Sequence, residues 1–262
     1  MGIVSGIINI LVAFVLPLVV AAYLLYKQPR TALWMAAGAV AYAVFHFFAQ
    51  QVLFFPLISS QSWYILLSRS EPLAQALLFG FVSALFEEIG RVVIMVFLYR
   101  STRKERSLFK GIVFGVGFGG IETVLIGVST IVSLFLLGGG GTLPFSAIFS
   151  GFESAAFFVA QIAFSVMVLY SIIDHRPWYS LTAFVSHTVF SVICELSKTG
   201  ILPVWLISIV LLLLAIGFLF WCYMALLRKR MPGSEDIKQD PNEEEYFGSY
   251  DTEAGIPGPK EN

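Results

Sequence analysis

The sequence predicts an all-α membrane protein with seven crossing helices, its N-terminus outside and its C-terminus in the cytoplasm. Of its 262 residues, 58% are hydrophobic and only 13% are charged, too few charges to clothe a soluble domain of this size. Seven apolar stretches each reach the roughly 20 residues that a span requires. Basic residues alternate sharply between the segments that join them, and that alternation sets the orientation.

The expected spans are 5–26, 32–56, 73–98, 110–137, 153–173, 179–196 and 204–227. The opening "MGIVSGIINI" lacks a basic n-region and a small-residue cleavage site, so it reads as the start of the first span. Linkers "YKQPR", "YRSTRKERSLFK" and "DHRPW", with "RKR" after the last span, hold eleven of the sixteen Lys and Arg. The linkers on the opposite side hold only Arg69 and Lys198. Residues 1–230 thus form the membrane domain. Residues 231–262 hold nine of the seventeen acids, with several Pro and Gly, and are expected to be a disordered cytoplasmic tail. The net charge of −1 therefore hides a basic membrane domain whose charges lie in loops, which excludes a nucleic-acid binder. The two cysteines, Cys194 and Cys222, lie in apolar stretches and predict no disulfide framework.

Ionisable residues inside a span are expensive and mark candidate sites. "FEEIGR" places Glu87, Glu88 and Arg91 in the middle of span three. Glu88 lies about 15 Å from the basic end of its helix, Glu122 and Gln161 about 18 Å, and His187 about 13 Å. His46 sits at a similar depth. One polar layer from several helices is expected, on the cytoplasmic side of the midplane. Glu87 and Arg91 are spaced i,i+4 and should pair, leaving Glu88 on another face for chemistry. Glycines 111, 115 and 119 of span four allow close helix approach. His46 reads as helix glue, His175 as a solvated loop residue, and Glu153 and Glu195 as outer-face residues outside any site.

The run "FEEIGR", "GVGFGGIE", "ESAAFFVAQIAFSVMVLYS" and "AFVSHTVF", with "AYAVFHFFAQQVLFFPLI" before it, resembles the YhfC family of intramembrane proteases over residues 30–195. That family is related to the CAAX-processing and PrsW-type proteases and to the Aph scaffold subunit of gamma-secretase. The resemblance implies a membrane endopeptidase in which Glu88 activates a water. His187, Glu122 and Gln161 would hold that water or the oxyanion, and Arg91 would clamp Glu87. It implies no cofactor or a zinc ion, whose donors would be Glu88, Glu122 and His187. The expected partners are the bilayer and either a membrane-associated peptide substrate at the cytoplasmic leaflet or, in an Aph-like scaffold, a partner membrane protein. Two positions depart from the family's pattern, which carries His where this chain has Phe118 and Gln161. Glutamine can hold a water, but it binds zinc weakly and shuttles no proton.

Overall fold

The computed structural model describes residues 2–102, 107, 109–132, 147–199 and 203–224, and these are helical with no strand. Helix α1 covers Gly2–Lys27. A 3₁₀ turn at Pro29–Thr31 leads into α2, Ala32–Ala41, which continues as a π-helical run over Tyr42–Phe54 and ends in α3, Phe55–Ser59. Then follow α4, Ser62–Ser70; α5, Pro72–Ser101; α6, Phe109–Ile131; α7, Ala147–Ile173; α8, Pro177–Thr199; and α9, Val204–Cys222.

Among the described residues, six helical stretches are long and apolar enough to cross a membrane. The 30-residue α5 stands apart because Glu87, Glu88 and Arg91 interrupt its apolar run. Several sequence expectations shift. The second linker contains a short helix, α4, and α7 begins at Ala147, six residues earlier than expected. The second span is not a plain α-helix: its π-helical stretch brings side chains five apart together, as where Gln51 Nε2 lies 3.4 Å from His46 Nε2. The ends expected at 137 and 227, the tail and the boundary at 230 lie outside the described residues.

Helix ends follow local chemistry. Pro72 and Pro177 open α5 and α8, where a missing N–H costs nothing. Helix α7 stops at a turn in which the Arg176 N–H donates to the Ser171 carbonyl at 3.0 Å. His175 takes the left-handed conformation there, with φ of 55°. It is exposed, as its loop position suggests.

Glycines set the packing. Helix α7 is buried along most of its length, and α6 lies between it and α2. Gly111, Gly115 and Gly119 face α7, while Gly117 faces Met35 of α2. A Cβ on Gly115 would lie 2.5 Å from Ile162 Cα, which is backbone and cannot swing aside. Gly115→Ala is therefore expected to destabilise by about 1–3 kcal/mol. The melting temperature in detergent checks this, and no change would mean the helices are not so close. Leu18, Phe97 and Leu213, at 59%, 69% and 65% exposure, belong to an apolar outer ring suited to lipid.

Candidate functional site

The expected polar layer forms. Helices α5, α6, α7, α8 and the π-helical run bring Glu87, Glu88, Arg91, Glu122, Gln161, His187 and His46 into one cluster. Arg91 is at its centre and fully buried. One arm of its guanidinium donates to Glu88 Oε1 and the other to Gln161 Oε1. Its carbon lies 4.2 Å from the Phe118 ring centre and 5.9 Å from that of Phe164, close enough for cation–π attraction. The two positions that depart from the family pattern, Phe118 and Gln161, both seat this one side chain.

The pairing within α5 differs from expectation. Arg91 engages Glu88 at i,i+3 and stays 4.0 Å from Glu87 Oε2 at i,i+4. Both spacings put residues on one helix face, and the contacts to Gln161 and Phe118 tip the guanidinium toward Glu88. Glu88 is thus not the carboxylate left over. It also meets His187, whose Nδ1 lies 2.9 Å from Glu88 Oε1. That imidazole stacks on Phe164 at 4.9 Å between centres and 18° between planes.

Glu87 is held from several sides. His46 Nδ1 lies 2.8 Å from its Oε1, Gln161 Nε2 donates to its Oε2 at 2.8 Å, and His187 Nε2 lies 3.3 Å from Oε2. The Ser83 hydroxyl adds a contact of 3.4 Å. Gln161 Nε2 also donates to Glu122 Oε2 at 2.8 Å, so one amide bridges two carboxylates. His46 therefore does more than lock helices. Its depth in the sequence was the signal, and only the fold shows its direct contact with Glu87. Three buried carboxylates face one guanidinium. Protons held within the cluster must balance the remainder, because uncompensated charge is prohibitive in a dry interior.

A cavity of about 340 Å³ opens beside the cluster. Glu87, Glu122, His46 and the Tyr42 ring lie in its wall, together with Ser83 and Ser191. Glu88 does not. Glu153 and Glu195, expected to lie outside any site, line the same cavity. Each sits eight residues along its helix from a cluster member, Gln161 on α7 and His187 on α8.

The donors do not form a metal site. Among the described residues no group of three or more His, Cys, Asp or Glu is placed to hold a metal ion. The expected set of Glu88, Glu122 and His187 is thus not assembled. Glu88 and His187 meet, but Glu122 is tied to Glu87 through Gln161. The Gln161 amide directs N–H bonds at the lone pairs a cation would bridge, and it has no lone pair on nitrogen to offer.

Comparison with known proteins gives one consistent result. The model of a family described as YhfC intramembrane metalloprotease matches residues 12–140 and 141–212. An uncharacterized membrane protein, YhfC, from Bacillus subtilis (strain 168) is 26% identical in an alignment of 172 residues, with coverage of 55% of this chain and 66% of that protein. The match thus spans just under two thirds of that relative's length. No solved structure matches.

Proposed function

Because this chain belongs to the YhfC family, we propose that it is a multi-pass intramembrane endopeptidase whose carboxylates hydrolyse peptide bonds. The observation that carries this reading is the pair Glu87 and Glu122, bridged by one amide and facing one cavity. Counting α5 gives seven spans. Its 30 residues reach about 45 Å, and its charges are compensated within the bundle. The basic linkers put the N-terminus outside and the C-terminus in the cytoplasm.

The hydrocarbon core of a bilayer excludes water, so hydrolysis there requires a polar cavity, and this chain has one. Glu122 accepts a hydrogen bond from the Gln161 amide and lines the cavity. It is the base in this reading. It takes a proton from water, and the water oxygen adds to the peptide carbonyl carbon. Tyr42, which lines the cavity, carries a hydroxyl able to donate to the oxyanion, while His46 is held by Glu87 and Gln51. The C–N bond then breaks, and the nitrogen leaves with the proton that Glu122 returns. Glu87, held by His46 and Gln161 with His187 nearby, fixes the geometry. Glu88 and Arg91 anchor α5 to α7 and α8. The base role passes from Glu88 to Glu122 because Glu88 is bound to Arg91 and His187 and has no face on the cavity.

The family's description names a metal, and the donor set does not fit one. No step here uses one. The protein purified without chelator is accordingly expected to carry no stoichiometric zinc, which elemental analysis measures. About one zinc per chain would mean that the cluster opens to form a ligand set.

A non-catalytic scaffold is the second reading, favoured by the way Arg91 and Gln161 tie Glu87, Glu88 and Glu122 of two helices to α7. A peptide-hydrolysis assay on the purified protein separates the two. Cleavage that depends on Glu122 supports the enzyme. No cleavage of any membrane-inserted peptide, with a partner protein co-purifying, supports the scaffold.

A further inference from the structure

Along α5, α6, α7 and α8 the cavity extends from the cluster in one direction only. On α5 it is lined by Ser83, which precedes Glu87, and on α6 by Ile126, which follows Glu122. On α7 it is lined by Glu153, which precedes Gln161, and on α8 by Cys194 and Glu195, which follow His187. Helices α5 and α7 carry their basic linkers at their C-terminal ends, and α6 and α8 carry theirs at their N-terminal ends. Every one of these lining residues therefore lies on the side of the cluster away from the basic linkers. The acids at positions 153 and 195 stand about 12 Å beyond it, eight residues at 1.5 Å each.

The other side is more closely packed around the cluster. Moving from the cluster toward the basic linkers, the next side chains are Met95 on α5, Phe114 on α6, and Phe164 and Met167 on α7, all at 0% exposure. A surface pocket on the basic face, lined by Arg100, Ser171 and His175 among others, contains no member of the cluster. That pocket reaches Val92 and Val96 on α5, but no side chain of the cluster lines it.

We infer that the site is loaded from the face opposite the basic linkers, so that a peptide substrate presents its scissile bond from the outer leaflet and not from the cytoplasmic one. The word "outer" rests on the orientation proposed above, and the opposite-face geometry rests on the cavity alone. This inference differs from the sequence expectation of a substrate at the cytoplasmic leaflet. The substrate class is a membrane-inserted peptide whose cleaved segment lies at or beyond the bilayer's outer half.

Cys194 makes this testable in the native chain. It lines the cavity and is partly exposed, whereas Cys222 is fully buried, and neither is in a disulfide. The probe is a small, permanently charged methanethiosulfonate applied to right-side-out membrane vesicles holding the full chain. Modification is located by peptide mass. Arg176→Cys, in the exposed turn after α7, marks the basic-linker face. The expected result is modification of Cys194 from outside, with the cysteine at 176 reacting only after the vesicles are opened. Two results would overturn the inference: Cys194 untouched from either side, or both cysteines reacting from one face; a third, the two faces reversed, would overturn the word "outer" alone. In the last case only the orientation fails, because the cysteines still react from opposite faces. Hydrolysis does not enter the readout, so a failure of the catalytic proposal leaves this result unaffected.

Discussion

Glu122→Gln is expected to lower hydrolysis of a membrane-inserted peptide by about 100-fold or more, the usual worth of a general base. The melting temperature should stay near that of the native chain. The reasoning is local. The Gln161 amide donates to Glu122 Oε2, and a glutamine side chain keeps a carbonyl oxygen to accept that bond. What it loses is the ability to take a proton from water. Glu122 is 8% exposed in the wall of the cavity, so the added N–H can be solvated. Activity near that of the native chain would remove Glu122 from the mechanism.

Arg91→Met should be the most damaging single change to the fold, at about 3–5 kcal/mol. Arg91 is fully buried and holds Glu88 with one arm and Gln161 with the other. Methionine fills the volume over Phe118 but leaves a carboxylate with His187 alone and orphans the Gln161 carbonyl oxygen. Arg91→Lys should recover only part of the loss, because a single ammonium cannot match a fork that reaches two residues on different helices. The melting temperature in detergent is the measurement. A methionine variant as stable as the native chain would show that the cluster contributes nothing to stability.

The helices and the polar layer were legible in the sequence, because hydropathy and depth are both one-dimensional quantities. Counting residues from the basic end of each span put Glu88, Glu122, Gln161, His187 and His46 at one level, and the fold joins them there. Pairing was not legible. A glutamate three or four residues before an arginine satisfies helical spacing equally, so choosing between Glu87 and Glu88 requires knowing that Gln161 and Phe118 flank the guanidinium from α7 and α6. The role given to Glu88 depended on that choice. The π-helical run over Tyr42–Phe54 leaves no mark in hydropathy, because apolar residues fill every face of that segment. Its effect is local but decisive, since it holds His46 against Glu87.

The position of the cavity was illegible for a different reason. It depends on how four helices splay on one side of the cluster and pack on the other. Glu153 and Glu195 looked like ordinary interface acids because each, taken alone, lies near a helix end. Only the antiparallel arrangement of α7 and α8 brings both to the wall that also holds Glu87 and Glu122. Gln161 is the converse case. In sequence it is a glutamine where the resembled family has histidine. In the fold it is the bridge between two carboxylates and the second seat of Arg91.

The central claim is peptide hydrolysis by carboxylates without a metal. The most direct test is cleavage of a membrane-inserted peptide by the purified chain in liposomes, before and after exhaustive treatment with a zinc chelator. The account predicts the same cleavage in both samples. Cleavage abolished by the chelator and restored by added zinc would contradict it.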